Sequence, residues 1–533
     1  MSLLDALLLD PYRINIWIAY RTDGVKGSGT QNDPWDGSTA TRLDTILNSL
    51  VANTRIHFGP GTFQINGYQD GATSSWLKSG MKIVGSGIDV TTLQMVGATT
   101  TNTHYFAVGH PFSSGGQPNL MDYFEISDLT IDCNLAGATT LTACGAVRVL
   151  GNHARVRGIK VKKWGKKASG PDCFVIAMIT ADPASGVIAV TDTGIEECIA
   201  IEPAGTEFPV TVFHAGPKVD LITNVDSYGT GPCIRNCFVD CSFGQPPVPD
   251  LTKDFRGLSM AWCKSGIVEG NQVHNTRYGG PYMKYSSSRD LVVRNNFYKN
   301  VAKGPFWDLG NKSNSTKTLS TLTFALISGV YEATATTSAN HDLDVGDRVQ
   351  ILCNPSSLNG TFVVTAKTSS TIFKYKTAVN GTFISGTAAR VFGIAKLVVE
   401  GNTIELAIGS TGLIGIHLDD NGLASQAPDY AHGDVIIRDN KIRYLDGFFD
   451  SSCNGWSLQV NGAKNLLVRN NVVECFPPNP LRNNRCGSVK YFNDKTPAGV
   501  LIQGINEAAS NKKYDELETD AEDALVLALF KRR

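Results

Sequence analysis

The chain has 533 residues, and its 48 Lys and Arg against 49 Asp and Glu give a formal net charge of -1. No summed positive field is present to attract a polyanion, so nucleic acid is not an expected partner. Charged residues are 18% of the chain, and the 53 Gly and 22 Pro are too few for a disordered protein. The composition indicates a folded, turn-rich protein.

The first segment, residues 1–14, is apolar but contains Asp5 and Asp10 and has no Lys or Arg before its apolar run. A secretory signal needs a basic start and an unbroken apolar stretch, so we expect none. No later stretch reaches the ~18 apolar residues of a membrane span. We expect synthesis in the cytoplasm, with any later export independent of such a signal. Residues 1–14 are predicted to form a helix that caps the fold or serves for attachment.

A short sequence motif recurs along the chain. It consists of an apolar residue, a polar residue, a turn that contains Asn, and a second apolar stretch. Its copies are Val268–Val273, Val293–Phe297, Val399–Ile404, Ile437–Ile442 and Val468–Val473, with degenerate copies at Val156–Val161 and Ile234–Phe238. Asn tolerates the left-handed turn conformation, and stacked Asn side chains can hydrogen-bond from coil to coil. A strand–turn–strand unit repeated at this spacing predicts a parallel β-solenoid.

A second phrase follows each Asn: a glycine and then an alternating strand. Its copies are Gly257–Trp262, Gly280–Tyr285, Gly304–Leu309, Gly415–Asp420 and Gly455–Val460. The first, third and fifth residues after each glycine are mostly apolar, so we expect them to face the core. The second and fourth residues then face outward.

Three segments depart from the repeat. Residues 316–393 have Thr/Val-rich alternation with Gly-containing turns, which predicts an inserted small antiparallel β-barrel or sandwich domain. Residues 173–230 repeat less clearly and are predicted to form an elaboration such as a hairpin arm. Residues 506–533 are predicted to end in an amphipathic helix, acidic early and basic late, that caps the solenoid.

Cysteine usage points away from disulfides and metals. Twelve cysteines are too sparse for a disulfide scaffold. Cys233, Cys237 and Cys241 lie four apart, without the CxxC pairs and paired His of a zinc site. We therefore expect no metal cofactor.

The opening segments Asp23–Pro34, Phe58–Phe63 and Lys82–Gly87, together with the repeats, resemble the pectate-lyase-like superfamily of right-handed parallel β-helices. This superfamily includes polygalacturonases and phage tailspike depolymerases. The resemblance covers residues 15–315 and 394–505 and implies an all-β solenoid. Lyases, hydrolases, epimerases and inert adhesins share this fold, so the resemblance does not specify a reaction.

The outward positions predict a candidate catalytic site. If 316–393 is an insertion, Asp308 and Asp419 fall on neighbouring coils about 4.8 Å apart. Glycoside hydrolysis uses a pair of carboxyl groups, and two like charges at this distance raise one of the two pKa values. His417 is predicted to tune the pair or to transfer a proton.

Three neighbouring outward residues complete the predicted site. Tyr282 and Phe306 are expected to offer flat apolar faces on which sugar rings stack, and Lys284 to hold an acidic sugar. The alternative is that polar side chains on these strands are simply solvated, as on any outward strand.

Two hypotheses for the function follow. The first is a carbohydrate-active enzyme that cleaves a polysaccharide, a glycoside hydrolase in preference to a lyase, acting as a phage tailspike depolymerase. The second is a non-catalytic structural or glycan-binding component of a virion or appendage. An intracellular epimerase or an inert scaffold is a third alternative. The resemblance to phage spikes, which are commonly trimers, implies a homotrimer or a virion baseplate as partners besides polysaccharide. It also implies a virion-associated or extracellular location after lysis.

The resemblance also bears on the type of enzyme. The polygalacturonase pattern of three acidic residues with Gly-His-Gly and Arg-Ile-Lys motifs is not found. A pectate lyase would need Ca²⁺ and an outward Arg as base. No outward Arg is predicted on the glycine-led strands, although Lys284 with Asp419 and Asp420 would be a variant.

Overall fold

The computed structural model describes residues 14–69, 77–96, 105–109, 120–137, 142–168, 173–181, 189–217, 228–242, 251–284, 287–308, 316–341, 343, 345–391, 393–407, 413–419, 432–444, 456–473, 481–484, 488–492, 494 and 505–506. The predicted terminal helices lie almost wholly outside these residues. The chain forms two compact units. Unit 1 comprises residues 1–292 and 296–306, and unit 2 comprises residues 293–295 and 307–533.

Unit 1 contains helix α1 (Ala40–Ser49), which begins where the Thr39 side chain accepts the N–H of Arg42. The remaining elements are short strands. They are β1 (Ile14–Ala19), β2 (Trp35–Asp36), β3 (Thr54–Phe58), β4 (Gly61–Ile65), β5 (Tyr68–Gln69), β6 (Lys82–Val84), β7 (Thr91–Met95), β8 (Tyr105–Gly109), β9 (Glu125–Asp132), β10 (Ala143–Leu150), β11 (Arg155–Lys162), β12 (Gly165–Lys166), β13 (Cys173–Ile179), β14 (Gly194–Glu196), β15 (Ile199–Ile201), β16 (Val210–Gly216), β17 (Gly229–Thr230), β18 (Cys233–Arg235), β19 (Phe238–Asp240), β20 (Phe255–Met260), β21 (Cys263–Lys264), β22 (Gly266–Glu269), β23 (Gln272–His274), β24 (Tyr282–Lys284), β25 (Ser288–Arg294, which ends in unit 2) and β26 (Phe297–Val301).

These strands stack in parallel ladders, each strand beside its counterpart in the next coil. One ladder runs β1, β3, β6, β9, β11, β14, β18, β22, and a second runs β4, β7, β9, β11, β15, β19, β23, β26. A further sheet runs β8, β10, β13, β16, β20, also in parallel. This is a parallel β-helix, as predicted. For the residues of 173–230 that the structure describes, the expectation of a hairpin arm is wrong, since β13 and β16 are ordinary parallel members of this sheet.

Unit 2 begins within β27 (Phe306–Asp308) and contains a closed antiparallel barrel and further solenoid strands. The barrel strands are β28 (Thr316–Ile327), β29 (Val330–Thr337), β30 (Arg348–Asn354), β31 (Gly360–Lys367), β32 (Ile372–Thr377) and β33 (Ser385–Val391), with a 3₁₀ turn at Ser356–Leu358. The solenoid strands are β34 (Ile394–Glu400), β35 (Thr403–Leu406), β36 (Ile414–Asp419), β37 (His432–Arg438), β38 (Lys441–Tyr444), β39 (Trp456–Asn461), β40 (Ala463–Arg469), β41 (Val472–Val473), β42 (Leu481–Asn484), β43 (Ser488–Phe492) and β44 (Ile505–Asn506).

The barrel closes in the order β28, β29, β32, β31, β30, β33 around a core that includes Val349, Phe373 and Tyr375. The predicted small antiparallel β fold is therefore confirmed. Within unit 2, segments before and after the barrel are bonded directly: Asn402 Nδ2 donates to Val293 O at 3.0 Å, although the two residues are 109 positions apart.

The recurring Asn residues form buried hydrogen-bond ladders inside the coils. In unit 1, Asn271 Nδ2 donates to Asn296 Oδ1 at 2.9 Å. In unit 2 the bonds continue from Asn402 to Asn440 and from Asn440 to Asn471, at 2.9 and 3.0 Å. The residue before each of these asparagines has a positive φ, and these residues are Gly270, Asn295, Gly401, Asp439 and Asn470. Gly, Asn and Asp adopt that conformation most readily, which explains why the phrase recurs.

Within the part of the chain that the structure describes, no helix has the length and apolar character needed to span a bilayer.

Candidate functional site

In unit 2, strands β36, β39 and β42 pair in parallel within one sheet that also contains β27 and β44. Ile416 and Leu418 of β36 are fully buried, as the alternation predicts. His417 pairs in register with Gln459 of β39, and Gln459 pairs with Arg482 of β42. The sequence does not reveal the register position of Arg482, because β42 lacks the glycine that precedes the other strands.

Asp419 lies at the end of β36 and is held by its neighbours. Asn461 Nδ2 donates to Asp419 Oδ1 at 2.8 Å, and His417 Nε2 lies 3.8 Å from Asp419 Oδ2. His417 and Asn461 are each 6% exposed, whereas the Asp419 side chain is 25% exposed. Asp419 is therefore an oriented carboxylate that a ligand can reach.

For Asp308, the second predicted carboxylate, the structure gives the position of the main chain. β27 is the neighbour of β36 in this sheet, so Asp308 and Asp419 lie on adjacent strands of unit 2. The Asp308 side chain lies outside the described part of the chain, and the separation of the two carboxyl groups stays a prediction.

A buried histidine lies close to the same strand ends. His432, the first residue of β37, is fully buried, and its Nδ1 accepts the N–H of Ile394 at 3.3 Å. The main-chain N–H of His432 donates to Gly462 O at 2.9 Å, and Gly462 follows Asn461 in the chain. Burial, assisted by the charge of Arg348, lowers the pKa of His432 to about 3, while the main chain and carboxylate of Asp419 oppose this shift.

In unit 1, Tyr282 and Phe306 are brought together but do not present open faces. The rings are parallel to within 5° at a centroid distance of 5.9 Å, and they are 9% and 8% exposed. The guanidinium of Arg256 lies 4.4 Å from the Tyr282 ring, and Lys303 Nζ lies 4.4 Å from the Phe306 ring. The expectation of exposed stacking faces is therefore wrong, since cations are attracted to those faces.

Lys284 lies in β24 beside these residues in the chain, and its side chain is outside the described part of the structure. Tyr278 joins the cluster, with centroid distances of 4.7 Å to Tyr282 and 5.2 Å to Phe306. We refer to Arg256, Tyr278, Tyr282, Lys303 and Phe306 as the aromatic–cation cluster. It combines apolar edges with positive charge.

Sequence reasoning also missed a polar row in the third sheet of unit 1. Arg148 pairs with Ala177, Ala177 with His214, and His214 with Ser259. His214 Nδ1 and Ser259 Oγ are 3.1 Å apart, and both residues are buried. The two residues are 45 positions apart, so only the strand register, which no local motif encodes, brings them together.

No group of three or more His, Cys, Asp or Glu side chains within the described ranges is arranged to hold a metal ion. Cys233, Cys237 and Cys241 are buried free thiols. Burial raises the pKa of the Cys233 thiol to about 11, so the thiol is protonated at neutral pH in this structure.

No protein-family model matches the chain, and no curated protein is significantly similar to it. Solved structures do match. A tailspike protein of E. coli bacteriophage HK620, in complex with pentasaccharide, is 10% identical with a TM-score of 0.48, over 91% of this chain and 66% of the tailspike chain. This chain therefore spans slightly less than two thirds of the tailspike's length.

Two further matches have other activities. An endo-xylogalacturonan hydrolase from Aspergillus tubingensis is 9% identical with a TM-score of 0.43, over 94% of this chain and 99% of the hydrolase. The A-module of a mannuronan C-5 epimerase from Azotobacter vinelandii is 10% identical with a TM-score of 0.41, over 87% and 94% of the two chains. The likeness to all three is one of fold alone, and the strand pairing of the chain itself identifies it as a parallel β-helix protein.

Proposed function

We propose that the protein cleaves a polysaccharide by general acid–base catalysis with Asp419 and Asp308 of unit 2. The observation that carries the proposal is the Asp419 carboxylate, which a buried Asn461 orients at 2.8 Å on a partly exposed strand end. Two carboxyl groups in register on adjacent parallel strands, which lie about 4.8 Å apart, would be near the separation of about 5–5.5 Å that a retaining glycoside hydrolase uses.

In the proposed reaction one carboxyl group protonates the leaving glycosidic oxygen. The other attacks the anomeric carbon or activates a water that does so. His417, 3.8 Å from Asp419 Oδ2, is proposed to influence the charge of the pair. We propose a glycoside hydrolase that works without a metal, with Lys284 of unit 1 as a contact for an acidic sugar.

The first experiment measures product release from a panel of bacterial capsular, algal and plant polysaccharides. Asp419→Asn and Asp308→Asn are each expected to lower cleavage by about 100-fold or more. The matched control is Asp434→Asn, because Asp434 also accepts from an Asn of the next strand, Asn465, at 2.7 Å, but on an exposed surface. Cleavage that survives both active-site changes would leave an enzyme and exclude this site.

Analysis of the product ends and assays in EDTA distinguish a hydrolase from a lyase. Unsaturated product ends and loss of activity in EDTA would indicate a Ca²⁺-dependent lyase. Saturated ends and unchanged activity in EDTA would indicate the proposed hydrolase. No cleavage of any substrate would favour the structural or glycan-binding appendage.

We also propose a more specific role, that of a phage tailspike. In this role the protein cleaves polysaccharide as a homotrimer attached to a virion. Sedimentation of the purified full chain tests it, with a mass of three chains as the expected result and a monomer as the contrary one.

A further inference from the structure

In unit 1, one turn position repeats from coil to coil with a left-handed backbone. The main-chain N–H at this position donates to the next coil, to the carbonyl of the residue just before the same position there, as from Tyr123 to Asn152 O at 2.8 Å. His153 continues the series by donating to Thr191 O at 2.9 Å. We call the residues at this position, whose φ lies between 55° and 70°, the turn column; they are Asn53, Gly80, Tyr123, His153, Asp192, Gly231 and Ser265.

Tyr123 is the unusual member of the turn column. Gly, Asn, Asp and His adopt the left-handed conformation most readily, whereas a bulky side chain such as that of Tyr is rare there and costs free energy. The other coils use small or polar residues at this position, so the turn itself does not require an aromatic one. Backbone strain of this kind is concentrated at functional sites, which makes Tyr123 a candidate for a role outside the fold.

The ring of Tyr123 is held in place on one face and is open on the other. It stacks on the His153 ring of the next coil, with a centroid distance of 4.9 Å and an angle of 17° between the planes. Tyr123 is nonetheless 60% exposed, so the second face of its ring is accessible. On that side the turn column holds Gly80, where an added Cβ would collide with Asn53 Oδ1. This neighbouring turn therefore has no side chain of its own with which to cover the ring.

Polar groups border the stacked rings. His153 Nδ1 and Asp192 Oδ2 are 3.0 Å apart, and the two side chains are 43% and 50% exposed. Because the carboxylate accepts from Nδ1, Nε2 of the neutral imidazole is an acceptor. Asp192 also pairs with Arg155, which fixes the carboxylate. On the other side, the amide of the exposed Asn53 lies over Gly80.

We propose that Tyr123 and His153 bind a glycan, with one sugar ring stacked on the open face of Tyr123. The C–H bonds on the flat face of a pyranose carry slight positive charge, and the face of an aromatic ring is negative, so the two faces attract each other. The Asn53 amide bonds with hydroxyl groups of this sugar, and His153 Nε2 accepts a hydroxyl of the next sugar at the edge of the stack. The ligand class is that of the proposed function, but none of these residues belongs to the proposed catalytic site.

The first experiment follows the acetylation of tyrosine hydroxyls by N-acetylimidazole in the full chain, with peptide mass mapping. The Asp419→Asn variant is used, so that oligosaccharides from the same polysaccharide panel are not cleaved. An oligosaccharide at about ten times its dissociation constant should slow the acetylation of Tyr123 by up to about tenfold. Tyr20 is the matched control, because it is also exposed, at 48%, and contacts one aromatic ring, that of Phe63. Its acetylation rate should not change. Failure of every oligosaccharide to protect Tyr123 would show that the proposal is wrong.

Two substitutions separate the ring face from the fold. Tyr123→Phe keeps the face and should leave the affinity within about threefold of the parent. Tyr123→Asn removes the face but suits the left-handed backbone, as Asn53 does, so its thermal midpoint should equal or exceed that of the parent. Calorimetric titration of Tyr123→Asn should then show one bound oligosaccharide fewer per chain. Equal losses of binding in both variants that follow a lower thermal midpoint would overturn the proposal and leave Tyr123 a structural residue.

This proposal and the proposed function fail in different ways. Cleavage by the parent together with unchanged binding in Tyr123→Asn would refute the Tyr123 site alone. Loss of a bound oligosaccharide in Tyr123→Asn, with no cleavage by the parent, would refute the proposed function alone.

Discussion

Asn461 donates its side-chain amide to Asp419 Oδ1 across 2.8 Å, and the two residues lie on neighbouring strands although they are 42 positions apart. The strand register alone produces this contact. It holds the Asp419 carboxylate in a defined orientation.

The contact predicts a specific effect of Asn461→Ala. Without the amide, the Asp419 carboxylate is free to rotate, and we expect kcat to fall by about 10-fold or more. Steady-state kinetics on the substrate found in the panel measure it. Asn465→Ala removes the equivalent exposed amide at Asp434 and should stay within about twofold of the parent. Equal kinetics for the two variants would remove Asn461 from the site.

The ladder predicts that Asn440→Ala is strongly destabilising. Asn440 Oδ1 accepts from the main chain and side chain of Asn402, and its Nδ2 donates to Val399 O and Asn471 Oδ1. All these groups are buried, so the change leaves several without partners. We expect about 3 kcal/mol less free energy of unfolding, measured by denaturant titration. A loss below about 1 kcal/mol would mean that the ladder adds little to stability.

Asp494 occupies the next position of the same ladder and predicts a stabilising change. It is buried, and its Oδ1 accepts from Asn471 N and Nδ2 at 2.9 and 2.8 Å. The earlier positions hold amides, which also donate to a carbonyl of the preceding coil, and a carboxylate cannot do so. Asp494→Asn should raise the free energy of unfolding by about 1 kcal/mol. A decrease would show that the carboxylate has a partner an amide cannot replace.

The pKa of His432, lowered to about 3 mainly by burial, predicts how stability depends on pH. Below the ordinary value of about 6.5 the unfolded chain binds a proton at His432 that the folded chain does not bind until about pH 3. Stability therefore falls with decreasing pH in that window, by up to about 1.4 kcal/mol per pH unit. Above it, His432 contributes no pH dependence.

Denaturant titrations of His432→Gln between pH 7 and pH 3.5 measure this effect. The variant lacks the titrating group, so the free energy of unfolding of unit 2 should fall less steeply than in the parent. His153→Gln, at an exposed position, is the comparison. Parallel pH profiles for the parent and His432→Gln would show that His432 is protonated normally in the folded state.

The solenoid and the barrel could be predicted because their signals are local. Each ladder Asn directly follows a residue with positive φ, so the motif consists of adjacent residues and can be recognised in the sequence. The pairing of His214 with Ser259 and the place of Arg148 are different. Both depend on the register between coils of unequal length, and no spacing in the sequence fixes that register.

The aromatic residues show a second limit. The alternation placed Tyr282 and Phe306 on one side of their strands, and the structure does bring the two rings together. Their exposure depends on Arg256, which comes from an earlier coil and lies at the Tyr282 ring, and on Lys303, whose long side chain folds back onto the Phe306 ring three residues later. A pattern of alternating residues predicts direction, but what covers a side chain is decided by the rest of the fold.

The bond from Asn402 to Val293, 109 positions away, has a consequence for how such a chain can change. The coils on either side of the barrel are joined as if nothing lay between them. An inserted module at that point therefore leaves the hydrogen-bond register of the flanking solenoid strands unchanged. Such a module can be exchanged for another, and a new binding specificity gained, without altering those strands.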